Sequence, residues 1–435
     1  MIAGSRTAAP DFADNPRSTL SWNFFLLGVG ALPVSIIVLL LSWLIALVLE
    51  WRARPQIRLN APLRWLCLCA LLLIAVCPFS FRPGDSLLGL FNYLPFFLFF
   101  GLAYRLVHSH ERVAQLLQVA AVSAFVTGVV GTFEWLTNFN WWWQPIPGFH
   151  LLVIGSPQEI GILDRVTAFF GWPTSAAAFF LLLLPVVIVG LIAGAERGLR
   201  PGWVPLMAFA AMACALVGTA SRNAWGIAVL LTAWLLLIGR RLRLLVLLVL
   251  ATLAILAAGL GPESSPAVGA LRRVVPPVFW QKVSASVQTG TASHESLTNR
   301  YDAWRIALDM TRQRPLTGWG LQTFPFVETQ VYGRDSATLL HAHNLYLTYT
   351  AEAGIPVALA LVGFYLWTLL WGAAVAWKQP AGTERWQLVG LLTAVAGFLL
   401  FGISDVPFYD ARINALFWLW LALVWRLGSF RGAKS

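Results

Sequence analysis

Apolar runs of about twenty residues recur along most of the chain, and that length is what a helix needs to cross a hydrocarbon core about 30 Å thick. The runs are continuous, unlike the ten-residue alternating segments of a membrane barrel. Charged residues make up 11% of the chain and hydrophobic residues 58%, with a mean hydropathy of +0.72, whereas soluble domains are about 25% charged. The expected class is an all-α integral membrane protein. Candidate spans lie at roughly 62 to 80, 86 to 107, 113 to 137, 172 to 194, 203 to 220 and 224 to 239. Others follow at roughly 244 to 261, 355 to 377, 388 to 404 and 412 to 427. The first run, 20 to 50, is too long for one helix and is interrupted between Gly28 and Pro33, so it reads as a hairpin of two short spans. The total is about 12 transmembrane helices.

Residues 1 to 19 are polar and the run after them is too long for a cleaved leader, so the first helix is expected to remain as an anchor. Cys67, Cys69, Cys77 and Cys214 lie inside apolar runs, where free Cys behaves as a small hydrophobe, so neither a disulfide nor a metal site is expected. A net charge of +11 could suggest nucleic acid, but much of it sits in short loops, where the positive-inside rule accounts for it. Arg52, Arg54, Arg58, Arg64, Arg105, Arg112, Arg197, Arg200, Arg240, Arg241, Arg243, Lys378 and Arg385, with Arg431 and Lys434 in the tail, fall on one face. That face, with both termini, is expected to be cytoplasmic. The whole chain, 1–435, reads as a single polytopic membrane domain. Residues 262–350 are expected to form a large periplasmic, partly helical loop between the ninth and tenth spans.

This loop is the one long polar stretch, and with the neighbouring outer-face turns it carries the residues suited to chemistry. Arg222 lies between two apolar runs on the outer face, where orientation gives no reason for a cation. Ser221 or Asn223 could cap the helix that follows, aiming its first N–H groups and Arg222 at one anion. The alternative is an Arg snorkelling to headgroups. Asn299 and Asp302 resemble a capping box, which would put Arg300 in the first turn of a helix running to about Arg312; the alternative is a solvated Arg. Tyr301, Trp304, Leu308 and Thr311 fall near one face that could dock this helix. Arg165, before Pro173, is a third outer-face cation near a helix start. Three guanidinium groups in such places suit a diphosphate, whose oxygens they grip in pairs.

His341 and His343 are about 200° apart on a helix and could share a metal only in extended backbone; no H-E-x-x-H or D-x-D accompanies them. No metal and no cofactor is expected. A general base needs a single imidazole, and His343, followed by Asn344, fits that task better than His341; a purely structural His is the alternative. Tyr301 and Trp319 offer aromatic platforms. Trp141, Trp142 and Trp143 suit an interfacial belt or, alternatively, a sugar platform. Asp405 and Asp410 flank Arg412, where a local ion pair is the default and orientation of a catalytic residue the alternative. Glu134 near a span end carries no catalytic reading.

Ser221-Arg222, Asn299-Arg300-Tyr301 through Gly318-Trp319-Gly320, and His343-Asn344 followed by Glu352-Ala353-Gly354 occur in that order. In order and placement, over roughly residues 160 to 410, they resemble the O-antigen ligase and polymerase superfamily of bacterial envelope glycosyltransferases. The resemblance implies a multi-pass protein of the bacterial inner membrane with a periplasmic active site. Its donor would be a glycan on undecaprenyl diphosphate and its acceptor a sugar hydroxyl of lipid A-core, by metal-independent, inverting transfer. Carried over, Arg222 and Arg300 would hold the diphosphate and His343 would deprotonate the acceptor. Arg165, His341, Asn344, Tyr301 and Trp319 would be further contacts to diphosphate or glycan. A polymerase of O-antigen or exopolysaccharide, or a protein O-oligosaccharyltransferase, shares this chemistry. A lipid-linked glycan transporter is the rival from another class, but it would favour mid-membrane charge and internal symmetry.

Overall fold

A computed structural model of the chain describes residues 16–56, 59–143, 152–155, 165–196, 203–288, 292–333 and 340–430. Arg58, Arg197, Arg200, Arg431 and Lys434, which entered the orientation argument, lie outside the described residues, as do residues 1–15. The protein is an all-α integral membrane protein. Among the described residues, eight helices are long and apolar enough to cross a membrane, and two further apolar helices are shorter.

The first apolar run is two helices, α1 (Pro16–Ala31) and α2 (Ile36–Ala53), with Ser35 accepting from Val38 N at the start of the second. Ser21 Oγ donates to Ala46 O at 2.8 Å, and Gly28 lies against Trp43, so the pair folds back as a hairpin. α3 (Ala61–Val76), α4 (Pro83–Gly89), α5 (Leu94–Leu106) and α6 (His110–Thr137) follow. Strands β1 (Trp141–Trp143) and β2 (Leu152–Ile154) then pair antiparallel, with Trp142 opposite Val153. The sequence reading had no strand there. α7 (Pro173–Glu196), α8 (Trp203–Gly218), α9 (Arg222–Ile238) and α10 (Leu242–Leu260) complete the first part.

α11 (Pro266–Val274), α12 (Pro277–Val287), α13 (Ala292–Gln313) and α14 (Phe324–Gln330) make a polar cap. α15 (Leu345–Lys378), α16 (Thr383–Phe401) and α17 (Ala411–Ser429) return to the bundle. Every apolar segment of the sequence reading is thus helical. The centre is α7 and α17, whose side chains are buried almost throughout. At the periphery, α10 has 11% of its apolar window buried and shows Leu244, Val246, Leu247 and Leu250 outward. An apolar patch of that extent is a liability in water and ordinary against lipid.

Two corrections concern α13. It begins at Ala292, so Arg300 lies well inside the helix and not in its first turn. Asn299 and Asp302 have the spacing of a capping box, but that local signal was outweighed by helix continuing upstream of it. The docking face is Ala303, Ile306, Ala307 and Met310, a buried i, i+3, i+4, i+7 stripe, while Tyr301 and Leu308 are exposed. Thr311 does reach the bundle, donating to or accepting from Thr350 Oγ1 at 2.9 Å.

Two glycine motifs interlock beneath the cap. α15 is broken at Gly354 (φ 83°), and the loop 315–320 fills the break. Trp319 N donates to Ala351 O (2.9 Å), Gly320 N to Glu352 O (2.8 Å) and Ile355 N to Pro315 O (2.7 Å). A Cβ at Gly318 would collide with the Glu352 carbonyl, and one at Gly354 with that of Leu316. The buried Glu352 carboxylate accepts from Gln322 N (2.9 Å), Phe324 N (3.3 Å) and Tyr409 Oη (3.2 Å). An unpaired carboxylate there would be costly, and these three donors satisfy it.

Candidate active site

The turn 341–344 approaches the turn 402–405 through a main-chain bond, Leu345 N to Gly402 O (2.7 Å), and a side-chain bond, Asn344 Nδ2 to Ile403 O (2.8 Å). Asn344 is the N-cap of α15, accepting from Leu347 N at 3.0 Å. His343 therefore does not open the helix. It adopts φ 48°, and in that bent backbone the two imidazoles share one side, with ring centroids 4.3 Å apart. The separation of about 200° expected from the sequence holds only on a helix. His343 N donates to His341 Nδ1 at 3.1 Å, and Trp304 Nε1 of α13 donates to His343 O at 3.3 Å.

Asp405, 6% exposed, stands 3.9 Å from His343 Nδ1 and 3.8 Å from Arg300 Nη2. The local ion pair expected around Arg412 forms with Asp410, at 2.8 Å, so Asp405 is left to the histidines and Arg300. Its task was readable only as a minority alternative, because its partners lie about 60 and 105 residues away in sequence. The available signal was an acid between two apolar runs whose neighbouring Arg is claimed by another acid.

Arg222 is the first residue of α9, with Ser221 at the N-cap position but without a side-chain cap bond. Its Nη1 donates to Ser286 Oγ of α12, and Asn223 Nδ2 donates to Ser404 Oγ beside Asp405. Arg165 Nε donates to Thr219 O at 2.8 Å. Burial, then the positive charges of Arg222 and Arg300, push the Arg165 pKa below its ordinary value, with Asp405 opposing. Arg165, Arg222, Arg300 and Asp405 are thus within electrostatic reach of one another, three guanidinium groups to one carboxylate, a charge balance that favours an added anion.

The segment carrying Arg165 is anchored by Glu134. That carboxylate, in the last turns of α6, accepts from Thr167 N (3.0 and 3.1 Å), Ala168 N (2.7 Å) and Thr167 Oγ1 (3.2 Å). Arg412 Nη1 donates to Phe169 O at 2.7 Å, fixing the same segment to α17.

Burial, His341 and Arg300 lower the His343 pKa to about 4, with Asp405 opposing; burial also lowers that of His341. Both rings are neutral at neutral pH, as a proton acceptor must be. With a proton on the Nδ1 that faces Asp405, Nε2 carries the lone pair. Among the described residues, the ligating atoms of His341, His343 and Asp405 lie within 4.8 Å of one another. The helical separation invoked against a shared metal therefore does not apply. Ligands of a tetrahedral zinc sit about 2.0–2.2 Å from the ion, so the trio would have to contract, and Arg300 already supplies a cation to the carboxylate.

The other candidates divide. Tyr301 is exposed, edge-on to Trp304 at 5.6 Å, at the rim of the cap. Trp319 is 7% exposed, donates from Nε1 to Met310 O at 3.0 Å and stacks under Arg314, so its observed contacts are those of the cap core. Residues 207–362 match the family described as O-antigen ligase. The matched region holds Arg222, Arg300 and His343 but not Arg165 or Asp405. No curated protein matches the chain.

Proposed function

We propose, on the match of residues 207–362 to the O-antigen ligase family, that this chain is an O-antigen ligase working at the periplasmic face of the bacterial inner membrane. The donor is a glycan on undecaprenyl diphosphate, and the acceptor is a sugar hydroxyl of lipid A-core. The observation that carries this reading is the convergence of Arg165, Arg222 and Arg300 with His343 and Asp405.

Arg222 and Arg300, helped by Arg165, hold the diphosphate in bidentate fashion and stabilise the charge that develops as the anomeric carbon–oxygen bond breaks. His343 Nε2 takes the acceptor proton as the new carbon–oxygen bond forms. Asp405 orients the ring and favours the imidazolium that results. The 3.9 Å gap to Asp405 exceeds a hydrogen bond and would close in the substrate complex. Attack opposite the leaving diphosphate inverts the anomeric centre. No metal step is needed, because guanidinium groups neutralise the leaving group. His341, Asn344 and Tyr301 border the acceptor side.

A polymerase adding repeat units to lipid-linked glycan uses the same groups on another acceptor. The deciding experiment supplies purified protein in detergent with the lipid-linked donor and either lipid A-core or lipid-linked repeat unit. Product on lipid A-core is expected. Product only on the repeat unit would make the chain a polymerase, and no product without a second compartment would return it to transport. Sidedness is tested by external thiol labelling in a cysteine-free background. Cysteine replacing Val274 in the cap is expected to react, and cysteine replacing Ala381, between α15 and α16, to stay protected. The reverse pattern would overturn the orientation.

A further inference from the structure

α17 starts beside the 405–412 turn and ends near Arg426, so the far end of this 19-residue helix lies roughly 27 Å from the candidate active site. There a cavity of about 1920 Å³ opens between α2, α3 and α5. Its walls are apolar, with Leu63, Leu66, Ile74, Phe97 and Leu98 along its length. α3 lines it from Asn60 to Ile74, about 21 Å at 1.5 Å per residue. That span matches an acyl chain in one leaflet, about 15 Å of hydrocarbon, better than a polyprenyl chain of 55 carbons.

One end is polar. Glu50 is 1% exposed and neither carboxylate oxygen accepts a hydrogen bond, although Arg105 Nε and Arg54 Nη1 stand 3.5 and 3.8 Å away. Arg426 lines the same end, and Arg112 is within electrostatic reach of Arg54 and Glu50. Burial, then Arg112, Arg54 and Arg426, lowers the pKa of His108 to about 4, so the ring adds no charge at neutral pH. Among the lining residues, the three guanidinium groups of Arg54, Arg105 and Arg426 therefore stand with two carboxylates, buried Glu50 and exposed Glu384, and Arg112 adds a further cation within reach. The positive-inside rule explains why arginines lie at this end, but not why they converge on a cavity, with Arg54 and Arg105 side chains only 28% and 25% exposed.

We propose that this cleft binds an anionic glycerophospholipid from the bilayer. One acyl chain runs along α3 and α5, and the phosphodiester lies among Arg54, Arg105 and Arg426. Phosphatidylglycerol is the simplest lipid with these features. Its net negative charge answers the cation excess, which a zwitterionic headgroup does not.

Native mass spectrometry of delipidated full-length protein, titrated with phosphatidylglycerol, phosphatidylethanolamine or undecaprenyl phosphate, tests this directly. Phosphatidylglycerol adducts are expected at about tenfold lower lipid concentration than either competitor. The Arg54→Gln, Arg105→Gln double variant should erase that preference, and Ala70→Phe, which fills the cleft wall, should weaken all glycerophospholipid adducts about tenfold. Equal binding of phosphatidylethanolamine and phosphatidylglycerol by the unsubstituted protein would overturn the proposal, whatever the variants do. Tighter binding of undecaprenyl phosphate would assign the cleft to a polyprenyl chain instead. Unchanged phosphatidylglycerol adducts in folded Ala70→Phe would place the lipid elsewhere.

Discussion

Two arginine clusters sit at opposite ends of α17, and they differ less in charge than in what their arginines face. Each combines several guanidinium groups with a buried acid and an imidazole held down to about 4, His343 beside His341 in one case and His108 in the other. In the inner cluster Arg105 donates to Arg54 O and Gln56 O, Arg112 to Leu106 O and Arg426 to Val107 O. Those carbonyls lie at or just beyond the C-terminal ends of α2 and α5, where cations are favourable. In the outer cluster Arg222 occupies the first turn of α9, where a cation is unfavourable until an anion arrives. The inner arginines therefore bond helix ends while bordering the lipid cleft, whereas Arg222 meets the start of a helix. Helix direction sets Arg222 apart from the inner arginines, and charge count does not.

Removing His343 and His108 in turn should separate the two clusters most strongly. His343→Ala should cut turnover by about 10²- to 10⁴-fold with donor affinity little changed, whereas His108→Ala should leave turnover within about twofold. Equal losses in steady-state assays would mean that the clusters do not differ as argued. Next in size, Arg222→Lys and Arg300→Lys keep the charge but lose the paired grip, and each should reduce kcat/KM about 10²-fold in folded protein. Normal activity in both would remove the diphosphate from this place.

A smaller effect is expected in the pH profile. The reactive form of His343 is neutral, and its lowered pKa keeps it neutral down to about 4. The acid limb of kcat/KM should therefore lie near pH 4 and not near 6.5, with activity lost as pH falls through it. Bound diphosphate favours the imidazolium, so the limb of kcat should lie higher. Asp405→Asn removes an attraction for the imidazolium and should move both limbs lower; an upward shift would refute the assigned contact. The smallest expected effect is that of excess EDTA, which should leave the rate unchanged. Loss restored by one divalent ion would make His341, His343 and Asp405 a metal site.

The apolar segments were legible because lipid demands long uninterrupted runs, and even the hairpin at Gly28–Pro33 shows in composition. Arg222 and His343 were legible as polar residues at the ends of such runs. What stayed hidden depended on distant pairing. Asp405 reads first as a partner for nearby Arg412, because its contacts His343 and Arg300 are remote in sequence, and Arg300 carried a misleading local cap signal. Trp319 read as a platform because an aromatic beside glycines in a polar stretch has no apolar period to reveal burial. The left-handed turn at His343 could not be inferred from residue type, since few non-glycine residues adopt it.

The lock between the loop 315–320 and the break at Gly354 bears on modularity. Residues 343–353 carry His343 at one end and receive the cap's glycine loop at the other, so cap and base form one mechanical unit. Specificity for a different acceptor cannot be transplanted by exchanging residues 262–340 alone, because a foreign loop would meet the wrong socket and misplace the imidazole. A working chimera has to cross over beyond Gly354.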